Sequence, residues 1–396
     1  MLMINTLHFL GISLLIWLLS YLSHTEGCVY LYGSSPQNPA PTGWDYGKWG
    51  DDWTGPSLSS FNVSPQWKCL RGRQQSPIDF EQGPSTGQKA PARLRTTWRY
   101  PPLISNGQNV SIINNGHAIQ VQWDLIDSSF RPEILVPFKG LPNSTVLDVL
   151  SMTAADVVHL AKAVPYQFHF HTSSEHTLEG MFGALELHIV HNITQAEMPG
   201  CPPTGCLMVT AVIFKQREQQ NPHLEHILRS ASAIEGATTL LPKSEAIDLQ
   251  SILPLNGKSS YLQYSGSLTT PPCSEGLLWH VFSTPVPIGK AQVQRYMELV
   301  SFKNCSAGSS QRWLLSSKAL YSFRDPQLLK TQAGRTLFSG LAAVEGDTSS
   351  LSIAKQSTAT ARHESHKNYT CTLGAYGYNQ RFTQPLLGRL IRNYQT

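Results

Sequence analysis

Tyr166-Gln167-Phe168-His169-Phe170-His171-Thr172, followed closely by Ala184-Leu185-Glu186-Leu187-His188-Ile189-Val190-His191, decides how this 396-residue chain is to be read. Successive residues of a strand point to opposite faces of its sheet. In the first run Phe168 and Phe170 take one face while Gln167, His169 and His171 take the other. In the second, Leu185, Leu187 and Ile189 alternate with Glu186, His188 and Val190, so a further histidine stands opposite an apolar face. A third run, Leu207 to Phe214, is apolar on both faces, as a strand deep in a large sheet is. It supplies no catalytic group.

Outward from these strands, short apolar runs separated by Gly, Pro, Asn and Ser continue from Trp44 to about Phe338, which predicts many strands and few helices. One helix is expected after Asn221-Pro222, a capping residue followed by proline, with Leu224, Ile227 and Leu228 inward, and a second near Ala291 to Val300. Residues 28–43, rich in Ser, Pro and Gly, form an extended lead-in, and 44–338 form one domain. Beyond Ser339 the chain turns small and polar, so 339–396 are expected to be a tail of low order.

Hydrophobic residues are 41% and charged residues 14%, against a usual charged share of about 25%, which excludes a charged disordered chain or a coiled coil. The net charge of +4 comes without a basic run interleaved with aromatics, which argues against a nucleic-acid partner. Leu7 to Leu22 is almost unbroken apolar sequence and Thr25-Glu26-Gly27 precedes Cys28, the pattern of a secretory signal over residues 1–27, although no Lys or Arg precedes the run. No later segment is apolar enough for a membrane span, and the final residues lack the hydrophobic tail of a lipid-anchor signal. Asn-x-Ser/Thr sites at Asn62, Asn109, Asn143, Asn192, Asn304 and Asn368 and seven cysteines agree with a secreted, glycosylated protein. Cys201 and Cys206 can close a small ring or pair with Cys28, Cys305 or Cys371.

A catalytic zinc site takes three protein ligands and keeps a position open. His169 and His171, two apart on a strand, can converge on one ion, and His188 on a neighbouring antiparallel strand can complete the tripod. With 14 histidines in the chain, chance alone gives roughly half a His-x-His pair, so the pair carries little by itself. Gln167 and Glu186 each stand two residues before a histidine on its own face, where an acceptor would fix the tautomer. On residues alone, a metal site and a polar lining of a solvated groove both remain open.

The region from Trp44 to about Phe338 resembles the α-class carbonic anhydrases. Trp44-Asp45-Tyr46-Gly47 is similar to that family's opening motif, Gln75-Ser76-Pro77-Ile78-Asp79 to its early turn, and Asn114-Asn115-Gly116-His117 to its proton-shuttle segment. Gln167 to His171, Ser174-Glu175-His176 and Glu186-Leu187-His188 resemble its two zinc-binding strands. Ser267 to Pro272, with Trp279 after it, resembles the active-site loop, and Phe323-Arg324-Asp325-Pro326-Gln327 the closing strand.

The resemblance implies a mainly β (α+β) fold, a large, mostly antiparallel twisted sheet with a few short peripheral helices. It implies reversible hydration of carbon dioxide to bicarbonate and a proton by a hydroxide on zinc, with esterase action on activated esters as a side reaction. His169, His171 and His188 would hold zinc, with Gln167 and Glu186 as outer acceptors. Thr269, donating to Glu175, would orient the hydroxide, and Val190, Val209, Leu268, Thr270, Leu277 and Trp279 would line the substrate pocket. His117 would export the proton with Asn115, Gln120 and Tyr46 beside it, and Cys69 and Cys273 would form a disulfide. Sulfonamides and small anions would inhibit. Thr172 departs from the family, many members having tryptophan after the second ligand, so loosened ligand geometry is expected there. A different class is a catalytically weak extracellular matrix or binding protein on the same fold. A further expectation is matrix contact through the tail, added to catalysis.

Overall fold

A computed structural model of the chain describes Trp44, Tyr46, Trp53 and residues 67–124, 129–255, 260–307, 369–373 and 378–395. The signal segment, the lead-in and Phe323–Gln327 lie outside the described residues.

One twelve-stranded sheet dominates. Its strands are β1 (Gln88–Lys89), β2 (Thr97–Arg99), β3 (Val110–Asn114), β4 (Ile119–Trp123), β5 (Glu133–Phe138), β6 (His159–His171), β7 (Leu185–Ile193), β8 (Cys206–Arg217), β9 (Thr238–Leu240), β10 (Ser260–Ser267) and β11 (Glu275–Gly289). A short ribbon of β12 (Phe302–Ala307) and β13 (Tyr369–Leu373) stands outside it, and β14 (Arg392–Gln395) returns to it. The order is β9-β3-β4-β6-β7-β8-β11-β10-β14-β1, with β5 branching from β6 and β2 pairing with β5. Pairing is antiparallel except between β8 and β11 and between β14 and β1. The sheet is mostly antiparallel, as the family resemblance implied.

The central strands bury both faces because both are apolar or hydrogen-bonded. Phe168, Phe170, Leu185, Leu187, Ile189 and Val212 join the larger core on one side. Ile78, Val190, Val209, Leu277 and Trp279 form a smaller core on the other. Helix α1 (Pro222–Ser230) starts at Asn221, whose side chain accepts from the His223 amide, and buries Leu224, Ile227 and Leu228. Helix α2 (Lys290–Val300) follows β11. Both expected helices are present.

The expected low-order tail needs correction over residues 378–395. β14 pairs with β10, placing Tyr394 opposite Tyr261, and the two rings stack at 4.8 Å. Arg392 donates to the carbonyls of Leu150 and Met152. Buried aromatic and guanidinium contacts of this kind outweigh the entropy of ordering a chain end. The domain therefore does not close at Phe338. Two disulfides join Cys69 to Cys273 and Cys201 to Cys206, the second settling the ring that the sequence left open. Among the glycan sites with described side chains, Asn143 is exposed. Asn109 is buried and accepts from the Asn106 amide, so it is no surface acceptor. Among the described residues no helix is long and apolar enough to cross a membrane.

Candidate metal centre

Register brings the histidines together. On β6 and β7, His169 lies directly opposite His188 and His171 opposite Glu186, while Gln120 of β4 faces His169 from the other side. The three imidazoles have ring centroids 4.6–5.3 Å apart and are buried. Burial disfavours a charged ring and pushes all three pKa values down, His171 to about 3, so each is neutral near pH 7.

A neutral imidazole has one N–H and one lone pair, and the partner of the first fixes the position of the second. His169 donates from Nδ1 to Gln167 Oε1 at 2.9 Å, leaving the Nε2 lone pair. His171 donates from Nδ1 to the Asn379 carbonyl at 2.7 Å, and its buried Nε2 has no hydrogen-bond partner. His188 donates from Nε2 to Glu186 Oε1 at 2.8 Å, leaving Nδ1. The three rings offer ligand atoms that all lie within 4.8 Å of one another. Three inward lone pairs, one of them orphaned in a buried setting, fit a divalent ion that prefers imidazole nitrogen.

Glu186 anchors this arrangement. Its Oε2 accepts the Glu175 and His176 amides and its Oε1 accepts His176 Nδ1 as well as His188. Burial raises its pKa, but the His176 and His188 rings and their hydrogen bonds outweigh that, so the carboxyl stays well below the usual range. The chain of contacts runs on from His176 Nε2 to the Tyr264 hydroxyl and to Ser76 Oγ, each at 2.7 Å. Glu175 is the opposite case. Burial pushes its carboxyl well above the ordinary range, the adjoining Thr269 hydroxyl pulls it down, and the nearby Glu186 raises it further.

Val190, Val209, Leu277 and Trp279 share one apolar cluster, with Leu268 packed against it. Trp279 sets its edge on the His188 ring at 4.8 Å and donates from Nε1 to the Ser267 carbonyl. Thr269 and Thr270 are buried in the turn after β10. Asn115 Oδ1 accepts the amides of His117 and Ala118, and Asn115 Nδ2 reaches Gln120 Oε1 at 3.5 Å. His117 stacks on Trp44 with centroids 3.8 Å apart, and Tyr46 lies edge-on at 6.3 Å. Thr172, expected to loosen the site, is tied at both ends: its amide donates to Asn379 Oδ1 and its hydroxyl to the Ala184 carbonyl.

The sequence reading missed the segment that closes the site. Asn379 receives His171 on its carbonyl, and its Nδ2 donates to the carbonyls of His117 and Phe170. Two residues on, the Arg381 amide donates to Glu175 Oε1 and its guanidinium to the Gln75 side chain and to the carbonyls of Ser76 and Cys69. Burial lowers the guanidinium pKa to about 10, and the Glu175 carboxyl opposes that shift. Phe323–Gln327, which resembles the family's closing strand, lies outside the described residues. The sequence does carry a signal for the 378–395 segment: Tyr378, Phe382, Leu386, Leu390 and Tyr394 return large apolar residues to a tail that lacks them from Gly346 to Ser350.

A broad sheet carrying three neutral, oriented histidines beside an apolar wall defines the class of protein that uses such a trio for catalysis. The family model described as eukaryotic-type carbonic anhydrase matches residues 61–336, and the chain belongs to that family of enzymes, whose general reaction is the reversible hydration of carbon dioxide. It is 28% identical over 267 residues to a carbonic anhydrase of Nostoc sp., covering 67% of this chain and 82% of that one. Human carbonic anhydrase 6 is 27% identical over 268 residues, 61% of this chain and 72% of the relative. An α-carbonic anhydrase of Thermovibrio ammonificans, solved with sulfanilamide, superposes with a TM-score of 0.49 at 24% identity over 88% of this chain and 98% of that one.

Proposed function

We propose that the chain is a secreted zinc enzyme that hydrates carbon dioxide, with His169, His171 and His188 holding the metal. The observation that carries this is the set of three neutral rings whose N–H groups are each committed to an acceptor, so that their lone pairs converge. Zinc, when bound, supplies Lewis acidity that brings the pKa of water to about 7, a figure known from carbonic anhydrase itself.

The protein's part is orientation. Glu186 and Gln167 keep His188 and His169 in the ligating tautomer, and Glu186 stays ionised while doing so. Thr269 commits its proton to Glu175 and presents its lone pair to the attacking oxygen, which aims that oxygen at carbon. Carbon dioxide is apolar and linear, and Val190, Val209, Leu268, Leu277 and Trp279 give it a wall without competing hydrogen bonds, with Thr270 at the adjoining turn. His117 passes the released proton outward, Asn115, Gln120 and Tyr46 lying along the way. Sulfonamides and small anions compete at the same centre. The two disulfides support an oxidising, extracellular setting.

Stopped-flow carbon dioxide hydration with metal analysis on the purified full chain tests this reading. Near-stoichiometric zinc with turnover supports it. A metal-replete chain without turnover would instead leave the matrix or binding protein.

A further inference from the structure

Among the described residues Cys69 pairs with Cys273 and Cys201 with Cys206, and the sequence holds three further cysteines, Cys28, Cys305 and Cys371. Two of the three stand on facing strands. In the antiparallel ribbon of β12 and β13, Phe302 lies opposite Leu373 and Lys303 opposite Thr372, and beyond a shift in register Ser306 lies opposite Thr370 and Ala307 opposite Tyr369. Between those rungs β12 contributes Asn304 and Cys305, and β13 contributes Cys371 alone. Two residues against one is the count of a β-bulge. Cys305 and Cys371 are each one step from the Ser306–Thr370 rung, so they occupy facing positions in the register. Facing residues of antiparallel strands have Cα atoms about 4.5–5.5 Å apart, within the about 4.4–6.8 Å that disulfides bridge.

We infer that Cys305 and Cys371 form a third disulfide, which clasps the neck of the 65-residue stretch between them. In its formation two S–H bonds break and one S–S bond forms. Two protons and two electrons pass to a low-molecular-weight disulfide such as oxidised glutathione, which is reduced to its thiols. The bridge ties β13 to β12, and through β13 it tethers Asn379 and Arg381, which follow β13 in sequence. Cys28 is left as the odd cysteine.

Peptide mapping of the full chain tests the pairing. Protein purified from a secretory host without reductant is denatured, alkylated, freed of N-glycans and digested with trypsin, which releases Asn304–Arg312 and Asn368–Arg381 as separate peptides. The expected species contains both, lighter by two hydrogens than their sum, and separates on reduction. Alkylation of both cysteines before reduction, or linkage of either to Cys28 or to another chain, overturns the inference.

Discussion

Glu186 has two oxygens and four donors to satisfy, and this arithmetic makes it the least replaceable acceptor of the site. A glutamine there offers one oxygen and one NH2 group. Either the two amides at Oε2 or the two imidazole N–H groups at Oε1 would then face a donor, and a buried unsatisfied donor costs about 1–3 kcal/mol. Glu186→Gln is therefore expected to weaken zinc binding roughly 10–100-fold, the usual scale for a lost outer partner, measured by competition with a chelator. His188→Ala removes a ligand itself. It should abolish most bound zinc and hydration activity together, and activity retained by a zinc-free His188→Ala protein would refute the ligand set. For His117→Ala the expected loss is confined to low buffer, because external buffer replaces an internal carrier; stopped-flow rates across a buffer series check this.

Strands β6 and β7 bring the ligands into register, but the segment 378–395 is what completes their setting. It places β14 between β10 and β1 in the sheet and lays Asn379 across His171 and the amide of Thr172. Asn379→Ala keeps the carbonyl that receives His171 but deletes the side-chain bonds to the Thr172 amide and to the carbonyls of His117 and Phe170. Zinc affinity should fall by about 10-fold or more in that variant while the sheet persists by far-UV circular dichroism. The strand pair was legible in the sequence because alternation within ten residues sets each face locally, and Asn221-Pro222 marked α1 for the same reason. Asn379 and Arg381 were not legible. Their roles depend on partners more than 200 positions away, such as His171 and Glu175, and no local pattern encodes a contact of that range. The Cys201–Cys206 ring was left undecided on similar grounds, since spacing does not select among several thiols.

Across the whole molecule, acid should destabilise the fold well above the range where carboxylates titrate. His191 and His280 lie outside the ligand trio, and burial holds both near pKa 3; the Met208 carbonyl partly opposes this at His191, and the His191 ring adds to it at His280. An unfolded histidine titrates near about 6.5. Between those values the unfolded chain binds protons that the folded one refuses, so stability rises with pH there and falls as pH drops from about 6.5 toward 3. Each buried histidine contributes about 1.4 kcal/mol per pH unit inside that window, roughly 5 kcal/mol for the pair between pH 6.5 and 4.5. Glu175, whose carboxyl is raised, works in the opposite direction and offsets part of the loss. Urea unfolding of the metal-stripped chain at pH 7, 6 and 5 measures the slope. The His280→Gln variant, whose amide can still meet Thr96 and Gln263, should lose about 1.4 kcal/mol per unit of that slope, and an unchanged slope would show that His280 is not held neutral by the fold.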